Sequence, residues 1–153
     1  MREILFRGKR TDGRGWVEGY LIRIENYCCI LELDCQDYGS IYLDWEIGWI
    51  DGQAIPVIPE TVGQYTGLKD KNGKNIFEGD IVKTKFGRLC VVVWFSSPSF
   101  TGFDLSAVQT ADNVVGTYAP TPYDMWSSEC LEIIGNIHDD PELMEAKKNE
   151  QDS

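Results

Sequence analysis

Several things are scarce in this chain of 153 residues. Histidine occurs once, as His138. A Ser-His-Asp or Cys-His site would have to use that residue, and no nucleophile motif accompanies it. Basic residues are few: 14 Lys and Arg stand against 25 Asp and Glu, a formal charge of −11. That balance argues against broad non-specific DNA binding, which rests on neutralising phosphates. Long apolar runs are missing. Leu89–Phe95 falls far short of the roughly 20 residues a spanning helix needs, and the charged N-terminus has no apolar signal core. No membrane partner is expected, and the location expected is cytoplasmic. The five cysteines, Cys28, Cys29, Cys35, Cys90 and Cys130, are odd in number and lack C-x-x-C spacing, so neither a disulfide framework nor a zinc site is expected. Buried thiols acting as small hydrophobes fit them better. Gly67, Gly73 and Gly79 lie six apart and match no phosphate-binding loop. No cofactor is implied.

What is present is strand material. Hydrophobic residues make up 42%, aromatics 12%, and there are 15 glycines, which favours many short strands over long helices. Glu3–Arg7 reads as a strand with Ile4 and Phe6 on one face and Leu5 on the other. Thr11–Gly15 is a turn, and Trp16–Ile24 completes a hairpin. Tyr27–Leu33 is a third strand; Ile41–Trp45 and Trp49-Ile50 continue the pattern. Ala54–Glu60 carries Pro56 and Pro59, which exclude a central strand, and a domain junction is placed near residue 58. Thr61–Tyr65 is a short strand. Asp80–Lys85 alternates, and Leu89–Phe95 reads as a fully buried strand with Trp94 in the core. Phe100–Leu105 and Leu131–Ile137 are further strands, separated by a loop-like excursion over 106–122. Pro141 starts a short helix capped by Asp139 or Asp140. The expected architecture is mainly β: an N-terminal β domain over 1–58, a second β domain over 59–138 and a polar C-terminal tail over 139–153.

The most ordered stretch of sequence is Gln64–Val82. Asn72-Gly73 predicts a type I′ turn, with positive φ at both positions, and Glu78-Gly79-Asp80 a second turn. Gln64-Tyr-Thr-Gly-Leu-Lys-Asp70, Asn72-Gly73 and Ile76-Phe-Glu-Gly-Asp80 together resemble the signature of the YopX family of phage and prophage proteins. Arg2–Arg7, Glu132–Ile137 and Pro141-Glu-Leu143 are similar to its other landmarks, so the resemblance frames residues 2 to 143. It implies an SH3-like barrel for the second domain and a bacterial host cell as the setting. It supplies no mechanism.

Outside the tail, basic residues fall in two windows. Arg2, Arg7, Lys9, Arg10, Arg14 and Arg23 form one; Lys69, Lys71, Lys74, Lys83, Lys85 and Arg88 the other. Between them lie eight acids and no base: Glu25, Glu32, Asp34, Asp37, Asp44, Glu46, Asp51 and Glu60. The candidate binding surface is therefore Arg7, Lys9, Arg10, Lys69, Lys71, Lys74, Lys83 and Lys85, weighed against ordinary solvated turns. Trp126, beside Tyr123 and Met125, joins it as the best candidate for an exposed aromatic, although core packing is the reading favoured for it. Two catalytic arrangements rank lower. His138-Asp139-Asp140 could ligate a metal, but helix capping explains the acids. Asp44 and Glu46 share a strand face, as in Mg²⁺-dependent nucleases, without the other parts such a site needs. The function expected is a non-enzymatic, macromolecule-binding accessory protein. A protein partner is favoured, either a second copy of the chain or a host or phage protein. A nucleic-acid-binding module using residues 2–23 and 69–88 is the alternative, and a nuclease the third reading.

Overall fold

The computed structural model describes residues 3–32, 43–44, 49–50, 54–85, 87–107 and 130–145. They are mainly β, arranged as two compact units that divide between Tyr65 and Thr66.

The first unit is an antiparallel sheet. It contains β1 (Phe6–Lys9), β2 (Trp16–Ile24), β3 (Tyr27–Glu32), β6 (Ala54–Pro56) and the start of β7 (Gly63–Lys69), in the order β6-β3-β2-β1-β7. β4 (Leu43–Asp44) and β5 (Trp49–Ile50) form a separate two-stranded ladder. Pro56 lacks an N–H and accordingly lies on the edge strand β6, opposite Cys29. The first strand begins three residues later than the alternation suggests. Leu5 is buried and Ile4 exposed, and the ladder with β2 pairs Phe6 with Gly19 and Lys9 with Trp16. Val17, Cys28, Ile30 and Val57 make the core, and Phe6, Leu21, Ile55 and Val62 pack against it. A 3₁₀ turn at Pro59–Thr61 closes the unit. The Thr61 hydroxyl donates to the Ile58 carbonyl at 2.6 Å and accepts from the Lys9 amide at 2.9 Å.

The second unit holds the rest of β7, β8 (Asn75–Phe77) beside it, and a four-stranded antiparallel sheet. That sheet contains β9 (Asp80–Lys83), β10 (Leu89–Ser96), β11 (Thr101–Ala107) and β12 (Glu132–Asn136), ordered β11-β10-β9-β12. Its centre is buried on both faces. Val82, Cys90 and Val92 pack with Ile76, Leu105 and Leu131 on one side. Ile81 and Val91 pack with Val93, Ile137 and Leu143 on the other. This explains why Leu89–Val93 reads as an unbroken apolar run: a strand covered on both faces has no polar alternation to show. The single helical turn α1 (Glu142–Glu145) brings Leu143 to the second of these cores. Neither sheet closes among the described residues, so the SH3-like barrel remains an expectation and what is seen is two open sheets.

Two local expectations are corrected. Gly73 has φ 80°, but the only non-glycine residue described with positive φ is Glu25, so Asn72-Gly73 is not a type I′ turn. The Gly73 amide donates to the Asp70 carbonyl at 3.0 Å, and the Asp70 amide to the Lys74 carbonyl at 2.8 Å. This is a type I turn closed by a left-handed glycine. The reason is Asp70, whose carboxylate claims the loop amides. The second correction is Trp94. It is 49% exposed, because β9 pairs with β10 only from Leu89 to Val91, and the rest of β10 runs on with β11 beyond that support.

Candidate functional site

Asp70 fixes the first wall of the site. It is 1% exposed. Its Oδ1 accepts from the Asn72 and Lys74 amides, both at 2.9 Å, and its Oδ2 from the Ile133 amide on β12 at 3.0 Å. Burial by itself would raise its pKa; the three backbone donors and the Lys74 charge outweigh it and hold the carboxyl below the usual range. The Lys71 amide donates to the Leu131 carbonyl at 2.9 Å. The 70–74 turn is thereby pinned to the start of β12, and Lys71 Nζ lies 2.9 Å from Glu132 Oε2.

The opposite wall is the turn between β9 and β10. The Thr84 amide donates to the Arg88 carbonyl at 2.9 Å, the Arg88 amide to the buried Thr84 hydroxyl at 3.2 Å, and the Gly87 amide to the Thr84 carbonyl at 2.9 Å. Gly87, at φ 78°, supplies the reversal. Register places Lys83 beside Glu132. Lys71, Lys83, Thr84, Lys85, Gly87, Cys130 and Glu132 consequently line one half-open depression of about 400 Å³. Three ammonium groups and one carboxylate surround it.

Of the residues singled out in the sequence, the structure brings Lys71, Lys83 and Lys85 together here. Lys69 and Lys74 are exposed in the same unit but do not line the depression. In the first unit, the Arg7 guanidinium lies 4.9 Å over the Trp16 ring, a cation–π contact. Lys9 is half-buried on β1. Arg10 grips Asp12 with two hydrogen bonds, 3.0 and 2.6 Å, and this bond, then the Arg14 amide, keeps Asp12 below the usual carboxylate range. Trp126, Glu46 and the Asp44 side chain lie outside the described residues. Asp139 and Asp140 serve the turn after β12: Asp139 accepts from Asn136 Nδ2 at 3.2 Å and Asp140 from the Asn136 amide at 3.2 Å. The His138 amide donates to Asn136 Oδ1 at 3.0 Å.

Sequence reasoning missed Thr84, Gly87, Cys130 and Glu132 as lining residues. Glu132 is far from Lys83 in the chain, and only the β9–β12 register makes them neighbours. It also missed the aromatic end of the β10–β11 hairpin. There Trp94 meets Phe103 edge-to-face, with ring centroids 4.9 Å apart, and on the other face Phe95 stacks with Phe100 at 6.3 Å. Phe100, like Trp94, is 49% exposed.

The class defined by these features is a mainly β protein with two open antiparallel sheets, one bearing a lysine-lined depression and an aromatic hairpin end. The family model described as YopX protein matches residues 5–145, most of the chain, and the protein belongs to the YopX family. No curated protein matches it.

Proposed function

We propose that this chain is a phage or prophage accessory protein that acts as a non-enzymatic binding module for another protein, with the aromatic end of the β10–β11 hairpin as its contact surface. The observation that carries the reading is the exposure of Trp94 and Phe100 at 49% each. Large aromatics presented on a strand pair, with Phe103 and Phe95 stiffening them from beside, are the side chains that supply most binding energy at protein interfaces. The charge of −11 keeps polyanions away in general and leaves proteins as the natural partners. A second copy of the chain is the first partner to test.

The experiment is photo-crosslinking. Trp94→benzoylphenylalanine and Phe100→benzoylphenylalanine variants are irradiated in bacterial cells, with Tyr27→benzoylphenylalanine, an exposed position in the first unit, as the control. A discrete protein adduct from positions 94 and 100 but not 27 is expected. Mass spectrometry then tells a second copy from a different protein. Absence of any adduct from both hairpin positions overturns the reading.

A further inference from the structure

Of the six asparagines, Asn72 alone is followed by glycine. Asparagine is chemically labile, and a glycine on its C-terminal side has no Cβ to hinder attack by its nitrogen. We infer that Asn72 is a latent covalent modification site, a deamidation centre that the folded 70–74 turn holds closed and whose isoaspartyl product unpins the turn from β12. It does not depend on the hairpin surface. The reaction needs only water. Hydroxide takes the proton of the Gly73 amide, and the nitrogen attacks Asn72 Cγ. The N–Cγ bond forms, the Cγ–Nδ2 bond breaks, and Nδ2 leaves as ammonia with a proton from water. Water then opens the cyclic imide at one of its two C–N bonds. Opening at Cγ gives an aspartyl residue in an unaltered chain. Opening at the main-chain carbonyl gives an isoaspartyl residue, with the chain rerouted through Cβ and Cγ.

Burial does not protect the pair, because Lys71, Asn72, Gly73 and Lys74 are all exposed. Geometry does. The Gly73 N–H that must be removed is donated to the Asp70 carbonyl at 3.0 Å. Asn72 stands third in a type I turn, where ψ is about 0°, and this sets the Gly73 nitrogen aside from the Asn72 side chain. Closing the ring requires ψ to leave that well. The amides on either side of the reacting bond, of Asn72 and Lys74, both donate to Asp70 Oδ1 at 2.9 Å, and Asp70 Oδ2 is tied to the Ile133 amide. Rotation therefore breaks the staple, and the reaction proceeds only from a locally opened turn. The two products then differ. The isoaspartyl chain carries one extra methylene between the two amides that share Oδ1, so they no longer reach it together. The aspartyl product keeps the chain length and adds a carboxylate at an exposed position.

The test is ageing of the whole protein in mildly alkaline buffer, with residue 72 followed by peptide mass mapping and the two products separated by chromatography. Parallel samples are kept native in sodium chloride and unfolded in guanidinium chloride of the same ionic strength. In the unfolded sample, residue 72 should deamidate faster than the other five asparagines. The native rate at residue 72 should be lower by at least about tenfold. Asp70→Asn, which weakens the staple, should raise the native rate severalfold. Isoaspartyl protein, isolated after ageing, should unfold at lower urea and exchange its Ile133 amide faster than fresh protein. Freshly purified Asn72→Asp, which has the charge without the extra methylene, should keep the wild-type midpoint. Equal native and unfolded rates overturn the proposal, as does an unchanged native rate in Asp70→Asn. An isoaspartyl form with the wild-type midpoint equally overturns it. So does an Asn72→Asp variant as unstable as the isoaspartyl form, because charge would then explain the loss.

Discussion

Replacing Asp70 by asparagine removes one charge and leaves the side-chain shape intact, so it isolates what the buried carboxylate does. In the wild type it accepts three backbone amides, from Asn72, Lys74 and Ile133, at 2.9 to 3.0 Å. An amide side chain has one oxygen. If that oxygen serves Asn72 and Lys74, the NH₂ group faces the Ile133 N–H, donor against donor; flipped, it confronts the other two. One charge-assisted bond is lost with its donor left buried, and the remaining two weaken. Hydrogen bonds to charged groups contribute about 1.5–3 kcal/mol each. The expected loss is therefore about 3 kcal/mol, or about 1.5 M in urea midpoint for a slope of about 2 kcal/mol/M. Urea titrations followed at the amides of Val92 and Ile133 report on the second unit alone. The pH dependence follows from the lowered pKa of Asp70. A carboxyl whose folded value lies below its unfolded value of about 3.9 contributes its full stabilisation above that pH and loses it as pH falls through the folded value. The gap between wild type and Asp70→Asn should thus be widest at neutral pH and close in acid. A gap under about 0.5 kcal/mol at pH 7, within the range of ordinary surface changes, would refute the staple. So would a gap that stays constant from neutral pH into strong acid.

Three other changes test other parts of the fold. Gly73→Val places a β-branched residue at φ 80° and should cost about 1–2 kcal/mol by urea titration; an unchanged midpoint would mean that the turn is misassigned. A Cβ at residue 135 would lie 2.5 Å from Asp140 Oδ2 and 3.1 Å from Leu143 Cδ1, so Gly135→Ala should cost about 1–3 kcal/mol and speed hydrogen exchange at the Leu143 amide, whose acceptor is the Asp140 carbonyl. Cys90 is fully buried, with its thiol pKa pushed up chiefly by burial, whereas Cys130 is half-buried. Iodoacetamide should alkylate Cys130 in the native protein and reach Cys90 only on unfolding, and dithiothreitol should leave the melting midpoint unmoved; equal native rates at the two thiols would contradict the burial.

The sequence by itself determined the elements. Turn residues, β-branched runs and proline placement are local signals, and they located the β2 strand, the apolar run of β10, the edge position of Pro56 and the glycine reversals at Gly73 and Gly79. The motif around 64–82 carried the family. Tertiary structure alone decided three things, each because it depends on partners distant in the chain. The geometry of the 70–74 turn was set by a buried carboxylate reaching Ile133, which overrode the local Asn-Gly preference. Trp94 looks like core in a run of valines, yet it is exposed because its neighbour β9 is short; strand length in the partner leaves no mark on the strand itself. The lysines at 71, 83 and 85 look like scattered solvated charges. They share a depression only because the register of β9 with β12 sets Lys83 against Glu132, and the 70–74 turn is tied to the same strand. Periodicity tells which face a side chain takes, and register, fixed by packing, tells which other side chains it meets there.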